Sequence, residues 1–494
     1  MTHDIAIVGA GICGMCTAIS LASDGHRVTL FERDSAPPPG DADAAFFDWQ
    51  RRGAAQFRHP HAFLGLMCNL IRDHYPELLE QFYAAGARRV GFDEMLPPEL
   101  KADYVPEPGD DNLWVLMCRR ATIETVIRHY VESLDGVEIV NDTQVTGMLT
   151  QAPGEPSSNP LNVTGLALRH DGAEAKFTAE IVVDASGRTS RFPRWFAELG
   201  REIEEENEDA EIVYYTRHYR LHPGQTEPPR GKRPAAGDLG YLKFGVFPGE
   251  NRHFAIIICV PVGETELRAA VRRAEQFDRI CASIPGVAPW VADDRSEATT
   301  EPFGIGDIRA VWRHYAAGDA PVATNFFAVG DAAIRTNPLY GRGCSTSIMH
   351  ANILAEVLRT TPDPLSRARQ FDARTEAELR PIYDASLSED QRGIRHAQAI
   401  VEGRTIDKID TVKKWFGRAF GDALGAATRE QIHVLRGLMR TFHLLEKPGE
   451  FLKDKRIKRT VFRYMLRGRK RNAAARLQPG PSRTEMYELL QFDG

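Results

Sequence analysis

Three glycines carry the clearest chemical signature in this sequence. Gly9, Gly11 and Gly14 stand in G-x-G-x-x-G spacing directly after the apolar run Ile5, Ile7 and Val8. A helical pattern with Ala18, Ile19 and Leu21 follows, and Gly25 ends it. Val28 and Leu30 then form a second apolar run that Glu32 closes. Each part has a mechanical reason: Gly9 makes a tight turn, Gly11 admits a diphosphate to the backbone, and Gly14 lets a helix pack close to a strand. The helix start offers free N–H groups and a partial positive charge. An acid some twenty residues on can accept hydrogen bonds from ribose hydroxyls. The order predicts a Rossmann-type dinucleotide site, and alone it does not separate FAD from NAD. Cys13 and Cys16 are formally C-x-x-C, but inside this turn they read as small residues packing helix on strand.

Two distant segments separate the cofactors. Residues 180–191 read EIVVDASGRTSR, a buried strand and then Asp184 in a turn with Ser186 and Gly187. Residues 326–347 hold another apolar strand, Gly330-Asp331, a loop with Asn337, Pro338 and Tyr340, and then Gly341 and Gly343 opening a helix. A strand ending in Gly-Asp can set its carboxylate against a ribityl hydroxyl. A helix starting near Gly343 can aim its dipole at the electron-rich edge of a flavin ring. The cofactor reads as FAD.

These segments, in this order, resemble the FAD-dependent monooxygenases of the p-hydroxybenzoate hydroxylase fold. With Gln56-x-Arg58-His59-x-His61, Arg120-x-x-x-Glu124 and the Asn337–Gly343 loop added, the chain is similar to that fold's styrene-monooxygenase and polyether-epoxidase branch over about residues 4–360. The resemblance implies that Glu32 holds the ribose, Arg33 flanks the adenine and Arg120 faces the diphosphate. It further implies that Val145 meets the adenine through its backbone and Asp331 reaches the ribityl chain and diphosphate. Arg58, Asp184, Gly330, Gly341, Gly343 and Cys344 complete the expected cofactor set, with Cys344 standing where that branch often has Met. Arg58, Asn337, Pro338 and Tyr340 are the cavity candidates. The His59/His61 pair crosses nearby and, lacking further ligands, is not read as a metal site.

The elements that must position these residues follow from pattern. The fold class is α/β: a Rossmann-type, GR2-like FAD-binding domain with an inserted β-sheet substrate domain and a C-terminal helical region. The FAD domain takes residues 1–200 and 310–360, the substrate domain 201–309, and the helical region 361–494. Seven acids in 202–211 read as a solvated entry to the second domain, and Gln151–Pro160 as a surface loop. Length excludes a single core. A formal charge of −6 gives no reason to expect nucleic acid, and no apolar run approaches the ~20 residues of a membrane span. A cytoplasmic location is the expectation, which seven scattered cysteines fit. Residues 446–476 hold twelve Lys or Arg against three acids. They read as a solvated helix facing the acidic remainder of the chain, with an anionic membrane surface as the alternative.

No side chain stands out as acid, base or nucleophile. The resemblance implies that reduced flavin and O2 make a C4a-hydroperoxide and that the protein supplies a dry cavity. The expected activity is epoxidation or hydroxylation of an apolar substrate such as an alkene or polyketide. No second glycine fingerprint marks a nicotinamide site, so electrons come from NAD(P)H bound transiently or through a separate flavin reductase. An alkene reductase of geranylgeranyl-reductase type, a flavin halogenase (its W-x-W-x-I-P signature is absent) and a flavin-binding redox sensor are the alternatives.

Overall fold

The computed structural model describes residues 2–151, 160–318, 320–404, 411–474 and 479–491. The loop expected at 151–160 falls almost wholly outside them. Strand β1 (Asp4–Val8) runs into helix α1 (Ile12–Ser23) and β2 (Arg27–Phe31). Helix α2 (Arg120–Glu132) precedes β3 (Val137–Val140), and β4 (Ile181–Asp184) and β5 (Phe326–Ala328) complete a five-stranded sheet. All its pairings are parallel, in the order β5-β4-β1-β2-β3. This is the expected Rossmann arrangement.

Strand periodicity sorts the side chains to two faces. Ile5, Ile7, Val28, Leu30, Ile181 and Val183 join one core with α1, α2 and helix α3 (Gly343–Thr360). Ala6, Val8, Phe31 and Val182 join another, covered by an antiparallel meander of strands Thr143–Thr150, Leu161–His170 and Ala173–Thr178. A parallel sheet buried on both faces explains why its strands read as near-continuous apolar runs.

The second sheet is antiparallel, built on the long strands Ile212–Leu221 and His253–Pro261. Helices Thr265–Val271 and Ala274–Ser283 cover it. The acidic segment is exposed, as its composition implies, but it is also regular. Glu204–Asp209 forms a strand paired antiparallel with Arg309–His314. Cross-strand charge explains the regularity, since Arg313 bridges Glu205 at 2.8 Å, and Arg380 reaches Glu206 at 2.8 Å.

Beyond α3 the chain is helical. Helix α4 (Pro364–Val401) is 38 residues long, roughly 57 Å at 1.5 Å per residue, and runs from the flavin-type sheet to the second sheet. Helices α5 (Val412–Glu430), α6 (Ile432–Phe442) and α7 (Lys455–Arg467) share a small core of their own. The last described helix, α8 (Arg483–Leu490), returns to the second sheet, burying Met486 and Leu490 there. Glu264 anchors it, accepting from Arg483 at 2.8 Å and from the Tyr487 hydroxyl at 2.5 Å. No described helix is long and apolar enough to cross a membrane.

Met486 is fully buried and neighbouring Leu489 is 36% exposed. Met486→Ala is therefore expected to destabilise by about 2–5 kcal/mol. Leu489→Ala is expected to cost less than about 0.5 kcal/mol. Paired denaturant titrations check this, and equal losses would mean that α8 does not dock as described.

Candidate functional site

The glycine turn is shaped by what it excludes. Gly9 has φ +99°, and a Cβ there would lie 2.7 Å from the Ala185 carbonyl oxygen. A Cβ at Gly14 would lie 1.9 Å from the Gly9 carbonyl oxygen. Gly11 differs, because a Cβ there would meet nothing within 4 Å. The turn is therefore closed against the sheet at Gly9 and Gly14 and open at Gly11, where a diphosphate would need room. Gly343, at the start of α3, is open in the same way.

The 180–191 segment meets the turn at Gly9 and Gly14, and the 326–347 segment meets it at Cys13. A Cβ on Gly330, whose φ is +57°, would lie 2.5 Å from the Cys13 Sγ. The same thiol senses Asp331, Ser347 and Cys344. Helices α1 and α3 are laced together by Ser20 Oγ donating to Asn352 Oδ1 at 3.0 Å. Two helix N-termini thus flank one opening, a favourable place for negative charge. Asp331 is half-buried there with no hydrogen-bond partner among the described residues. Burial raises its pKa, while the Arg335, Arg120, Arg188 and Arg313 guanidiniums pull against that rise. A free carboxylate beside open helix ends fits ribityl and diphosphate groups. Burial pushes the Cys13 thiol up to about 12 and Cys344 to about 11, so both are protonated packing residues at neutral pH.

Glu32 is buried at the end of β2. It accepts from the backbone N–H groups of Ala10 and Asp34, each at 3.0 Å. It also pairs at 3.1 Å with Arg51, a residue that pattern reading missed. Arg51 sits among three buried carboxylates, bonding Glu124 at 2.9 Å and Asp34 at 3.2 Å, with Trp49 stacked 4.8 Å away. Burial penalises its charge, but Glu124 and Glu32 win and raise its pKa. Burial also opposes the charge on Glu124, and Arg120 and Arg51 hold its pKa below the ordinary value. Arg120 bonds Glu124 at 2.7 Å and the His61 Nε2 at 2.8 Å, while the His61 Nδ1 faces the His59 carbonyl at 2.9 Å. The R-x-x-x-E spacing thus places an i,i+4 pair under the turn.

Other expected residues take more local roles. Both Asp184 oxygens are engaged by Ser186 and Ser190 hydroxyls, so Asp184 builds its own turn. Arg33 is exposed. Val145 packs its side chain into the meander core, and the strand register slips between it and Gly147. Arg58 donates to the Phe47 carbonyl at 2.9 Å and lies over the Phe303 ring at 5.4 Å, bridging to the second sheet. His59 contacts the Thr216 hydroxyl at 2.8 Å, and burial lowers its pKa to about 4.

The Asn337–Gly343 loop is bracketed from outside. Buried Asn337 accepts from the Tyr214 hydroxyl and from the Leu339 N–H, and donates to Asp390 Oδ1 at 2.6 Å. The Tyr340 hydroxyl donates to the same oxygen at 2.8 Å. Arg342 reaches Ser386 at 2.6 Å, so α4 holds the loop at two points. Exposed Pro338 lies between them. Asp390, also missed, leaves its buried Oδ2 without a partner. Ile212, Leu242, Leu339, Tyr340, Asp390 and Ala397 line a cleft between this loop, α4 and the second sheet.

The comparisons agree with this geometry. Residues 4–46 match the FAD dependent oxidoreductase (DAO) family. Protein Rv3254 of Mycobacterium tuberculosis (strain ATCC 25618 / H37Rv) is 28% identical over 240 residues, covering 44% of this chain and 45% of its own. A zeta-carotene desaturase of Zea mays aligns over 11% of its length. The chain thus spans less than half the length of these curated relatives. The p-nitrophenol 4-monooxygenase PnpA from Pseudomonas putida DLL-E4 superposes with a TM-score of 0.57 at 14% identity, over 90% of this chain and 99% of that one. The flavin-dependent halogenase CmlS superposes with a TM-score of 0.57 at 18% identity, over 87% and 74%. The fold is the one shared by these flavin-dependent proteins, and residues 4–46, which hold the glycine turn, carry the match to the FAD dependent oxidoreductase family.

Two predictions follow from the turn and the charges beneath it. Gly11→Val fills the open cradle, so FAD retention after gel filtration is expected to fall at least ~10-fold while the unfolding midpoint barely moves. Gly14→Ala is expected to lower the midpoint itself, and the reverse pattern would overturn this reading of the turn. Arg51→Leu strands three buried carboxylates and is expected to cost roughly 3–5 kcal/mol at pH 7. Because the folded pKa of Glu124 is depressed, its contribution is complete above the ordinary carboxylate range and fades as pH falls through the folded value. The deficit of Arg51→Leu should therefore hold steady from pH 7 to about pH 5 and shrink between about pH 5 and about pH 3. A deficit constant across that range would show that packing, not charge, carries it.

Proposed function

We propose that this protein is an FAD-dependent monooxygenase acting on an apolar organic substrate. The observation that carries the proposal is the adjacency of two features: helix termini and a free Asp331 around an open glycine turn, and an apolar cleft behind the Asn337–Gly343 loop. FAD, when bound and reduced, supplies the electrons and the site of oxygen activation. The chain's own residues hold it and keep water away. Gly9–Gly14 and the start of α3 would receive its phosphates and ring, Glu32 its ribose, and Asp331 its ribityl chain. Arg120 would face the diphosphate from α2, and Val145 would offer backbone to the adenine.

The cleft supports an apolar substrate. Ile212, Leu242, Leu339 and Ala397 form its apolar walls, and Glu211, Lys243, Asn337, Tyr340, Glu389 and Asp390 are the polar groups that line the rest of it. Substrates of the alkene or polyketide class suit this lining, and epoxidation is the reaction that the motifs of the Asn337–Gly343 loop favour. Electrons would come from NAD(P)H, directly or through a flavin reductase partner.

The test is a rapid-mixing experiment. FAD-loaded protein is reduced without oxygen, mixed with oxygenated buffer, and followed by visible absorbance with and without a panel of alkenes and aromatics. An intermediate spectrum outlasting that of free reduced FAD, with oxygenated product, is the expected outcome. Direct reoxidation with every substrate, combined with anaerobic hydride transfer to an alkene, would replace the proposal with a reductase. Halogenated product in the presence of chloride or bromide would replace it with a halogenase.

A further inference from the structure

The outward face of α7 plays no part in the chemistry above. Ile457, Val461 and Tyr464 seat this helix in the small C-terminal core. On the other side Lys455, Lys458, Arg459, Phe462, Arg463 and Leu466 are all exposed. Phe462 and Leu466 are 61% and 74% exposed and stand one turn apart on a single stripe. The helix contains no acidic residue. Asp454, just before it, is spent as the N-cap, accepting from the Arg456 and Ile457 N–H groups.

A basic helix that merely faced the acidic body of its own chain would show its charges paired. Arg467 is paired, with Glu430 at 2.7 Å. Lys455, Lys458, Arg459 and Arg463 have no ion-pair partner among the described residues. The face therefore presents unquenched positive charge around two bulky apolar side chains held in water.

We propose that this face of α7 docks on an anionic lipid surface. Charge complementarity selects an anionic partner, and the apolar pair selects a bilayer over a purely polar polyanion. Phe462 and Leu466 can enter the boundary between headgroups and acyl chains. The long Lys and Arg side chains lie along that boundary with their charges at the phosphates. The face is independent of the flavin-type site, so the proposal stands whatever reaction that site performs.

Flotation of the full-length FAD-loaded protein tests it. Vesicles of phosphatidylcholine alone are compared with equimolar phosphatidylcholine and phosphatidylglycerol, at low and high salt. The protein is expected to float with the anionic vesicles only, and less at high salt. Phe462→Ser/Leu466→Ser is expected to reduce flotation at least ~10-fold with the thermal midpoint and bound FAD unchanged. Three results would overturn the proposal: no flotation, equal flotation on neutral vesicles, or flotation indifferent to the double substitution. Specific capture of an acidic protein by the same face, with vesicles ignored, would also overturn it.

Discussion

At the flavin end, much depends on a contact made without side chains. The Gly14 backbone lies so close over the Gly9 carbonyl that a Cβ would sit 1.9 Å from its oxygen, and Gly9 is pressed in turn against Ala185. This brings the start of α1 down onto the carboxyl ends of β1 and β4. Strand order reverses between those two strands, and open parallel sheets bind ligands outside their carboxyl ends at such a point. Gly330 then brings the end of β5 against Cys13, and α3 packs beside α1. Two helix termini can share one opening only because three glycines remove the atoms that would hold the elements apart.

Charge is managed beneath that opening rather than within it. Glu32, Asp34 and Glu124 are all buried, a combination tolerable only because Arg51 and Arg120 lie among them with hydrogen-bond geometry. The arrangement leaves Glu32 a spare acceptor position on Oε1, since that oxygen takes only the Asp34 N–H. Asp331 stands apart from this network, with arginines around it but no hydrogen-bond partner among the described residues. One carboxylate is therefore fixed in place and the other left available, and this division suits a ligand with both a ribose and a ribityl diphosphate chain.

What could be read in the sequence follows from how local the determinants are. Gly9, Gly11, Gly14 and Glu32 lie within one strand–helix–strand unit, so spacing alone displays their relation, and the parallel FAD-type sheet was legible from four apolar runs. Arg51 was not, because its partners, Glu32, Asp34 and Glu124, come from two other segments and nothing in its own neighbourhood marks it. Asp390 was hidden for the same reason: it sits in a long polar helix, 53 residues from Asn337, and only the fold brings them together. Asp184 is local in both sequence and structure, following its strand directly and accepting from the Ser186 and Ser190 hydroxyls of its own turn. The acidic run at 204–209 is exposed as its composition implies, but its strand pairing was not legible because the arginines facing it lie about a hundred residues and more away.

The C-terminal third, the part least readable as a motif, is what joins the two sheets into one site. Helix α4 packs Leu379, Ile382 and Tyr383 against the meander side of the flavin-type sheet, supplies Ser386 and Asp390 to the central loop, and ends with Ile400 beside the second sheet. Tyr214 approaches the same Asn337 from the second sheet. The loop that would meet the flavin ring is thus held from both sheets at once, and Asn337 joins Arg58 over Phe303 and His59 against Thr216 as a junction to the second sheet. A junction of this kind couples the packing of the second sheet to the position of the loop, because one buried side chain, Asn337, bonds both Tyr214 and Asp390.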